Sequence, residues 1–152
     1  MLDTIARYPD TFVGTAVVDA HAPDVDRTMA QLQPLGIRAF RIHPRLSGKP
    51  PADWLRPAGF ATMFAMAEHT GQALSCLIDP DGLAEVDRMC GDFPGTTVII
   101  DHLARISGDG VIREDDIASL CRLARHSRVL VKIGAFYALG RKSPPYDDLA
   151  EL

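Results

Sequence analysis

No stretch of the chain approaches the roughly 18 consecutive apolar residues needed to span a bilayer, so no membrane-spanning helix is expected. The opening residues, MLDTIARYPD, carry an acid at position 3 and no apolar core, so no secretory signal is expected either. Cysteine is scarce. Cys76, Cys90 and Cys121 are odd in number and far apart, which fits buried thiols in a reducing, cytoplasmic setting better than a disulfide framework or a zinc knuckle. Basic charge is also short: 16 Lys and Arg against 20 Asp and Glu leave a formal charge of −4, the wrong sign for a nucleic-acid-binding face. A Gly-rich phosphate loop is missing after the first strand-like run, which argues against a nucleotide-binding domain. With no low-complexity tract or linker, residues 1–152 read as a single domain able to bury a core.

What the sequence does contain is alternation. Five runs favour strands: FVGTAVVD (12–19), IRAFRIH (37–43), QALSCLID (72–79), TTVIIDH (96–102) and RVLVKIGA (128–135). Between them apolar residues recur at helical spacing. The groups are Val25, Met29 and Leu32; Phe60, Met63, Phe64 and Ala67; Leu83, Val86 and Met89; and Ile117, Leu120, Cys121 and Ala124. Gly36, Gly71 and Gly95 each precede a strand, where a helix exit calls for positive φ, and Asp24, Asp81 and Asp115 lie where a carboxylate can cap a helix start. Strands alternating with helices make βαβ units and a parallel sheet. The Pro-rich stretch 44–57 reads as a long loop. Its Arg45, Lys49, Trp54 and Arg56 would suit an anionic or sugar-like ligand, or else form a solvated surface.

Parallel strands end on a common rim, and in α/β folds ligands bind at that rim. Asp19, His43, Asp79, Asp101 with His102, and Tyr137 all fall there. Strand alternation places His102 with Val98 and Ile100, and Asp101 with Thr97 and Ile99, so only one of the two can line an interior. The expectation is that His102 lines it and Asp101 turns away as a cap or support. Arg41 and His43 share a face opposite Phe40 and Ile42, and point inward if the apolar pair meets the helices. A mid-strand Arg41, like Lys132 in the last strand, calls for a carboxylate partner. Asp19-Ala20-His21 reads as turn chemistry rather than a metal motif. His69 and His126, near helix C-termini, read as structural.

These residues carry a resemblance. RYPDTFVGTAVVD, LGIRAFRIHP, TTVIIDHLAR and RVLVKIGAFYAL are similar, in order, to strands two, three, five and six of the amidohydrolase-related family, in its pyrone-dicarboxylate and sugar-lactone hydrolase branch. The likeness runs over essentially the whole chain and rests most on the D-H-(apolar)-(small) strand end together with the V-K strand. It implies an α/β fold: an incomplete (β/α)8 TIM barrel of five sequential parallel strands, equivalent to strands 2–6. It implies hydrolysis of a lactone or related cyclic ester or amide of a small carboxylate or sugar acid. In that family a His cluster polarises the carbonyl, directly or through a divalent metal such as zinc or manganese, although some members work without metal. An Asp at the eighth strand activates water.

Carried over, only the fifth-strand His is present, as His102, the candidate catalytic residue and metal ligand. No His-x-His occurs, so the chain alone is expected to be an inactive internal fragment. Arg41 and His43 are candidates to orient the substrate, and Tyr137 to donate a hydrogen bond at the rim. The expected partner is a small anionic or sugar-like molecule, and the open edges of a five-stranded piece are a template for self-association. Three alternatives stand beside this reading. They are a decarboxylase of the same superfamily, a catalytically inactive remnant and a non-enzymatic flavodoxin-like binding domain. The last requires a strand order with a switch point.

Overall fold

The computed structural model describes residues 1–152, the side chain of Leu46 excepted. Five strands form one sheet: β1 (Gly14–Ala16), β2 (Ile37–Ile42), β3 (Ala73–Cys76), β4 (Thr97–Ile100) and β5 (Val129–Val131). Their order is β1-β2-β3-β4-β5, and each neighbouring pair is parallel. Sequential order without a reversal matches the partial-barrel expectation and removes the flavodoxin-like alternative. The observed strands are shorter than the runs that announced them, most of all β1 and β5. These two pair on one side only, and Val13, Val17, Leu130 and Ile133 beside their free edges are exposed.

Helices alternate with the strands: α1 (Leu2–Arg7), α2 (Val25–Leu32), α3 (Ala58–Thr70), α4 (Leu83–Asp92) and α5 (Glu114–Arg122). The unexpected α1 buries Ile5 against Gly14 and Ile37. Register aligns Phe40, Leu74 and Val98 in one row, and Ile42, Cys76 and Ile100 in the next. Both rows are fully buried against Met29, Phe60, Met63, Phe64 and Val86 of the helices. The helical periodicities of α2, α3 and α4 are therefore core stripes, as read from sequence. The stripe of α5 meets the core only in part: Leu120 packs against it and Ile117 is half-buried. Cys121 is exposed, contrary to the expectation of a buried thiol, and Leu123 after the helix takes the core position. Among the described residues no helix is long and apolar enough to cross a membrane.

Two details bear on the rim. A Cβ on Gly59, in the first turn of α3, would run into the backbone carbonyl of Ala20, so this close approach of helix to the loop after β1 requires glycine. The stretch 44–57 is not the open loop the prolines implied. It folds into two short 3₁₀ turns at Pro44–Leu46 and Pro51–Asp53, and then buries Trp54 and Leu55 completely. Trp54 Nε1 donates to the Gly82 carbonyl at 3.2 Å, and its ring meets Phe60 edge-on at 5.8 Å. Trp54 is a core plug that ties this stretch to the start of α4, and it presents no face to a ligand.

Candidate active site

The sheet face turned away from the helices carries Ala39 and Arg41 of β2 beside Ala73 and Ser75 of β3, then Thr97 and Ile99 of β4. Small and apolar side chains occupy its lower part and polar ones its upper rim. At the rim Asp101, 0% exposed, gathers three partners. Ser75 Oγ donates to its Oδ2 at 2.7 Å, and Arg41 Nη2 lies 3.2 Å from the same oxygen. Lys132 Nζ lies 3.7 Å from Oδ1, an oxygen that has no hydrogen-bond partner. Arg41 and Lys132 remain 35% and 52% exposed, so two cations flank one buried carboxylate on an open face. Arg41 and Lys132 thus have the carboxylate that their mid-strand positions called for.

That arrangement corrects the expectation for Asp101, which was to turn away. Alternation held as far as Asp101, which shares the inner face with Thr97 and Ile99; the face expected to point inward, that of Val98 and Ile100, is the one packed on the helices. His102 has φ 54° and ψ 48°, and Leu103, Ala104 and Arg105 are also left-handed, so the chain leaves strand geometry immediately after Asp101. Left-handed backbone costs a non-glycine residue about 1–2 kcal/mol, which the surrounding packing must offset. Ladder bonds hold the turn to β5: Lys132 N–H donates to the Ile100 carbonyl at 2.8 Å, and Leu103 N–H to the Lys132 carbonyl at 3.2 Å. His102 is half-buried, and its Nδ1 has no hydrogen-bond partner. A Cβ on Gly134, just beyond β5, would stand 3.7 Å from that nitrogen. The imidazole therefore sits at the rim between β4 and β5, with one ring nitrogen shielded from solvent and unsatisfied. Buried polar atoms without a partner are uncommon.

His43 caps the turn that follows β2. Its Nδ1 accepts from Arg45 N–H at 3.0 Å, which puts the proton of the neutral ring on Nε2. Burial, then the charges of Arg45 and Arg105, hold its pKa below the usual 6.5, against an opposing pull from Asp79. The unfolded chain therefore takes the proton first. The stability linked to neutral His43 is present above pH 6.5 and is lost as pH falls through its lower folded value. Thermal melts are expected to show a midpoint that drops below pH 6.5, with a shallower drop in His43→Asn, which keeps a cap acceptor. Identical pH profiles for the two proteins would contradict this.

Arg105 reaches across to Asp79 with three bonds, Nε to Oδ1 at 2.7 Å and Nη2 to Oδ1 at 2.5 Å and to Oδ2 at 2.6 Å. This pair stands between a cavity of about 250 Å3 lined by His43, Arg45 and Lys49 and a second of about 660 Å3. Tyr137 is 72% exposed and makes no hydrogen bond among the described residues, so it is not drawn into the cluster. Asp19 Oδ1 accepts from His21 N–H at 2.9 Å, the turn chemistry read from sequence. His126 bonds Asp87 at 2.7 Å and ties the end of the α5 region to α4. Burial, with Asp87 nearby, pushes Cys90 up to about 12, which makes it a poor nucleophile. Sequence reasoning missed Ser75 altogether, because a lone serine inside an apolar run gives no signal before its register partner is known.

Among the described residues no three His, Cys, Asp or Glu side chains converge as a metal site. His102 Nδ1 is a single available donor, so these residues alone do not fit a zinc or manganese ion, which needs about four ligands.

The chain belongs to the amidohydrolase family, whose profile, described as Amidohydrolase, matches residues 1–152. Solved structures of similar fold include a probable 2-pyrone-4,6-dicarboxylic acid hydrolase from Acinetobacter baumannii with citric acid bound. It is 22% identical, with a TM-score of 0.80 over 99% of this chain and 54% of that one. A candidate 2-pyrone-4,6-dicarboxylic acid hydrolase from Pseudomonas putida is 20% identical, with a TM-score of 0.74 over 95% and 50% of the two chains. An amidohydrolase from Burkholderia multivorans with bound zinc is 18% identical, with a TM-score of 0.75 over 96% and 53%. At such identities the likeness is one of fold. The chain spans about half the length of these proteins, and its five strands make part of a barrel. No curated protein matches.

Proposed function

We propose that these five strands supply the anion-holding and carbonyl-polarising part of a hydrolase. Its substrate is a lactone, or a related cyclic ester or amide, of a small carboxylate or sugar acid. The observation that carries the reading is the half-buried ring of His102 on the same rim as the Arg41–Asp101–Lys132 cluster. Asp101 engages one terminal nitrogen of Arg41, which leaves the other guanidinium N–H groups for a substrate carboxylate, with Lys132 adding a second positive charge. Ser75 fixes the carboxylate that spaces the two cations. His102 would donate a ring N–H to the lactone carbonyl and draw charge from it as water adds to the acyl carbon. The ring C–O bond then breaks and the alkoxide takes a proton. The group that activates the water is not assigned to this chain. No step is routed through a metal. Three unpaired cysteines accord with a reducing, cytoplasmic setting.

Binding is the readout suited to the chain by itself. In isothermal titration, a lactone bearing a free carboxylate is expected to bind about tenfold more tightly than its methyl ester. Arg41→Gln is expected to abolish that preference while leaving the ester's affinity unchanged. Equal affinities of acid and ester would remove the anion clamp. Release of CO2 from the bound acid would point to the decarboxylase alternative.

A further inference from the structure

We propose that the free edge of β5 is a dimer interface, where the strand pairs antiparallel with β5 of a second copy of this chain and Val131 meets Val131 on a two-fold axis. The proposal does not depend on the chemistry assigned to the rim, because it uses the backbone of β5 and the side chains of Val129, Val131 and Ile133.

The ladder fixes which backbone groups are free. The Arg128 carbonyl accepts from Val98 N–H at 3.0 Å, Lys132 N–H donates to the Ile100 carbonyl, and the Lys132 carbonyl accepts from Leu103 N–H. Bonding direction alternates along a strand, so Arg128, Leu130 and Lys132 bond toward β4, while Val129, Val131 and Ile133 turn their N–H and C=O groups to the open side. Leu130, Val131 and Ile133 are 56%, 41% and 72% exposed there. A regular apolar edge of this kind is a template for another strand. The edge of β1 is a poorer one, because its register with β2 slips between Gly14 and Thr15, and such an irregularity beside a glycine blunts an edge.

The occupant follows from symmetry. The three outward-bonding residues are centred on Val131, so an antiparallel copy pairs Val131 with itself and Val129 with Ile133, apolar against apolar. On the inner face the same register sets Leu130 opposite Lys132. No two ammonium groups are then directly opposed, and each Lys132 stays beside its own Asp101. Pairing of β5 with β1 of the next copy would instead run on from chain to chain, whereas the two-fold pair is closed. The strand and its apolar side chains bury on the order of 1,000 Å2 in total, the lower bound for a specific interface, so micromolar affinity is expected.

Sedimentation velocity of the full chain from about 1 to 200 μM tests this, with a dimer dissociation constant expected on the order of 10 μM. Val131→Lys sets two ammonium groups against each other and Val131→Asp two carboxylates, and each is expected to weaken the dimer about tenfold. An equimolar mixture of the two variants is expected to restore it, because Lys then faces Asp. Val17→Lys, beside the β1 edge, is expected to dimerise like the parent. The proposal is overturned if the parent stays monomeric over the whole range or grows beyond a dimer. It is also overturned if either charged variant dimerises like the parent, if the mixture of folded variants stays monomeric, or if Val17→Lys abolishes the dimer. Should a charged variant melt early, Val131→Pro replaces it, since it removes only an outward N–H of an edge strand, and an undiminished dimer in that variant overturns the proposal.

Discussion

Trp54→Ala is expected to remove about 3–5 kcal/mol of folding stability, a large share of what a domain of this size possesses. The indole is fully buried, holds the Gly82 carbonyl through Nε1 and packs edge-on against Phe60. Truncation would therefore open a cavity and remove the Trp54–Gly82 hydrogen bond together. Trp54→Phe separates the two effects. It keeps most of the packing but removes the bond to the Gly82 carbonyl, for a loss of about 0.5–1.5 kcal/mol. Urea unfolding midpoints measure both. A Trp54→Ala protein as stable as the parent would mean that the indole instead lies in solvent on an open loop.

Asp101→Ala carries the second large effect, a loss of about 2 kcal/mol. It leaves the nearly buried Ser75 hydroxyl unpaired and the Arg41 and Lys132 cations without their shared carboxylate. The ionic part of that loss is discounted because both cations are partly exposed. A double-mutant cycle resolves the hydrogen-bonded part: Ser75→Ala should cost much less in the Asp101→Ala background than in the parent. Additive losses would mean that the two side chains do not act on each other.

Much of the fold could be read from the sequence because its signals are periodic. Apolar runs separated by helical stripes predicted five parallel strands in order, and the buried rows through Phe40, Ile42, Leu74, Cys76, Val98 and Ile100 follow from them. The rim was harder to read. Alternation holds only while the backbone stays extended, and nothing between Asp101 and Arg105 announces a left-handed turn, since no glycine occurs there. The sequence reading carried alternation past the strand for His102 and took the helix-covered face of β4 as inward, which misplaced Asp101, while it put Arg41 on the correct face. Trp54 was misread for a similar reason. Four prolines between 44 and 57 imply a solvated loop, and only the tertiary fold brings Phe60 and the Gly82 carbonyl to the indole. Lys132 raised the right question, and its answer, a buried carboxylate one strand away, depended on register.

In the proposed function the ring of His102 and the guanidinium of Arg41 face one ligand at one rim. Side-chain NMR of the chain, labelled at histidine and arginine, tests it directly during titration with a carboxylate-bearing lactone. The His102 ring and Arg41 Nε resonances are expected to shift together along a single saturation curve, while His69 and His126 stay in place. Shifts confined to residues on the helix-covered face, or a His102 ring that does not respond as Arg41 saturates, would contradict the claim.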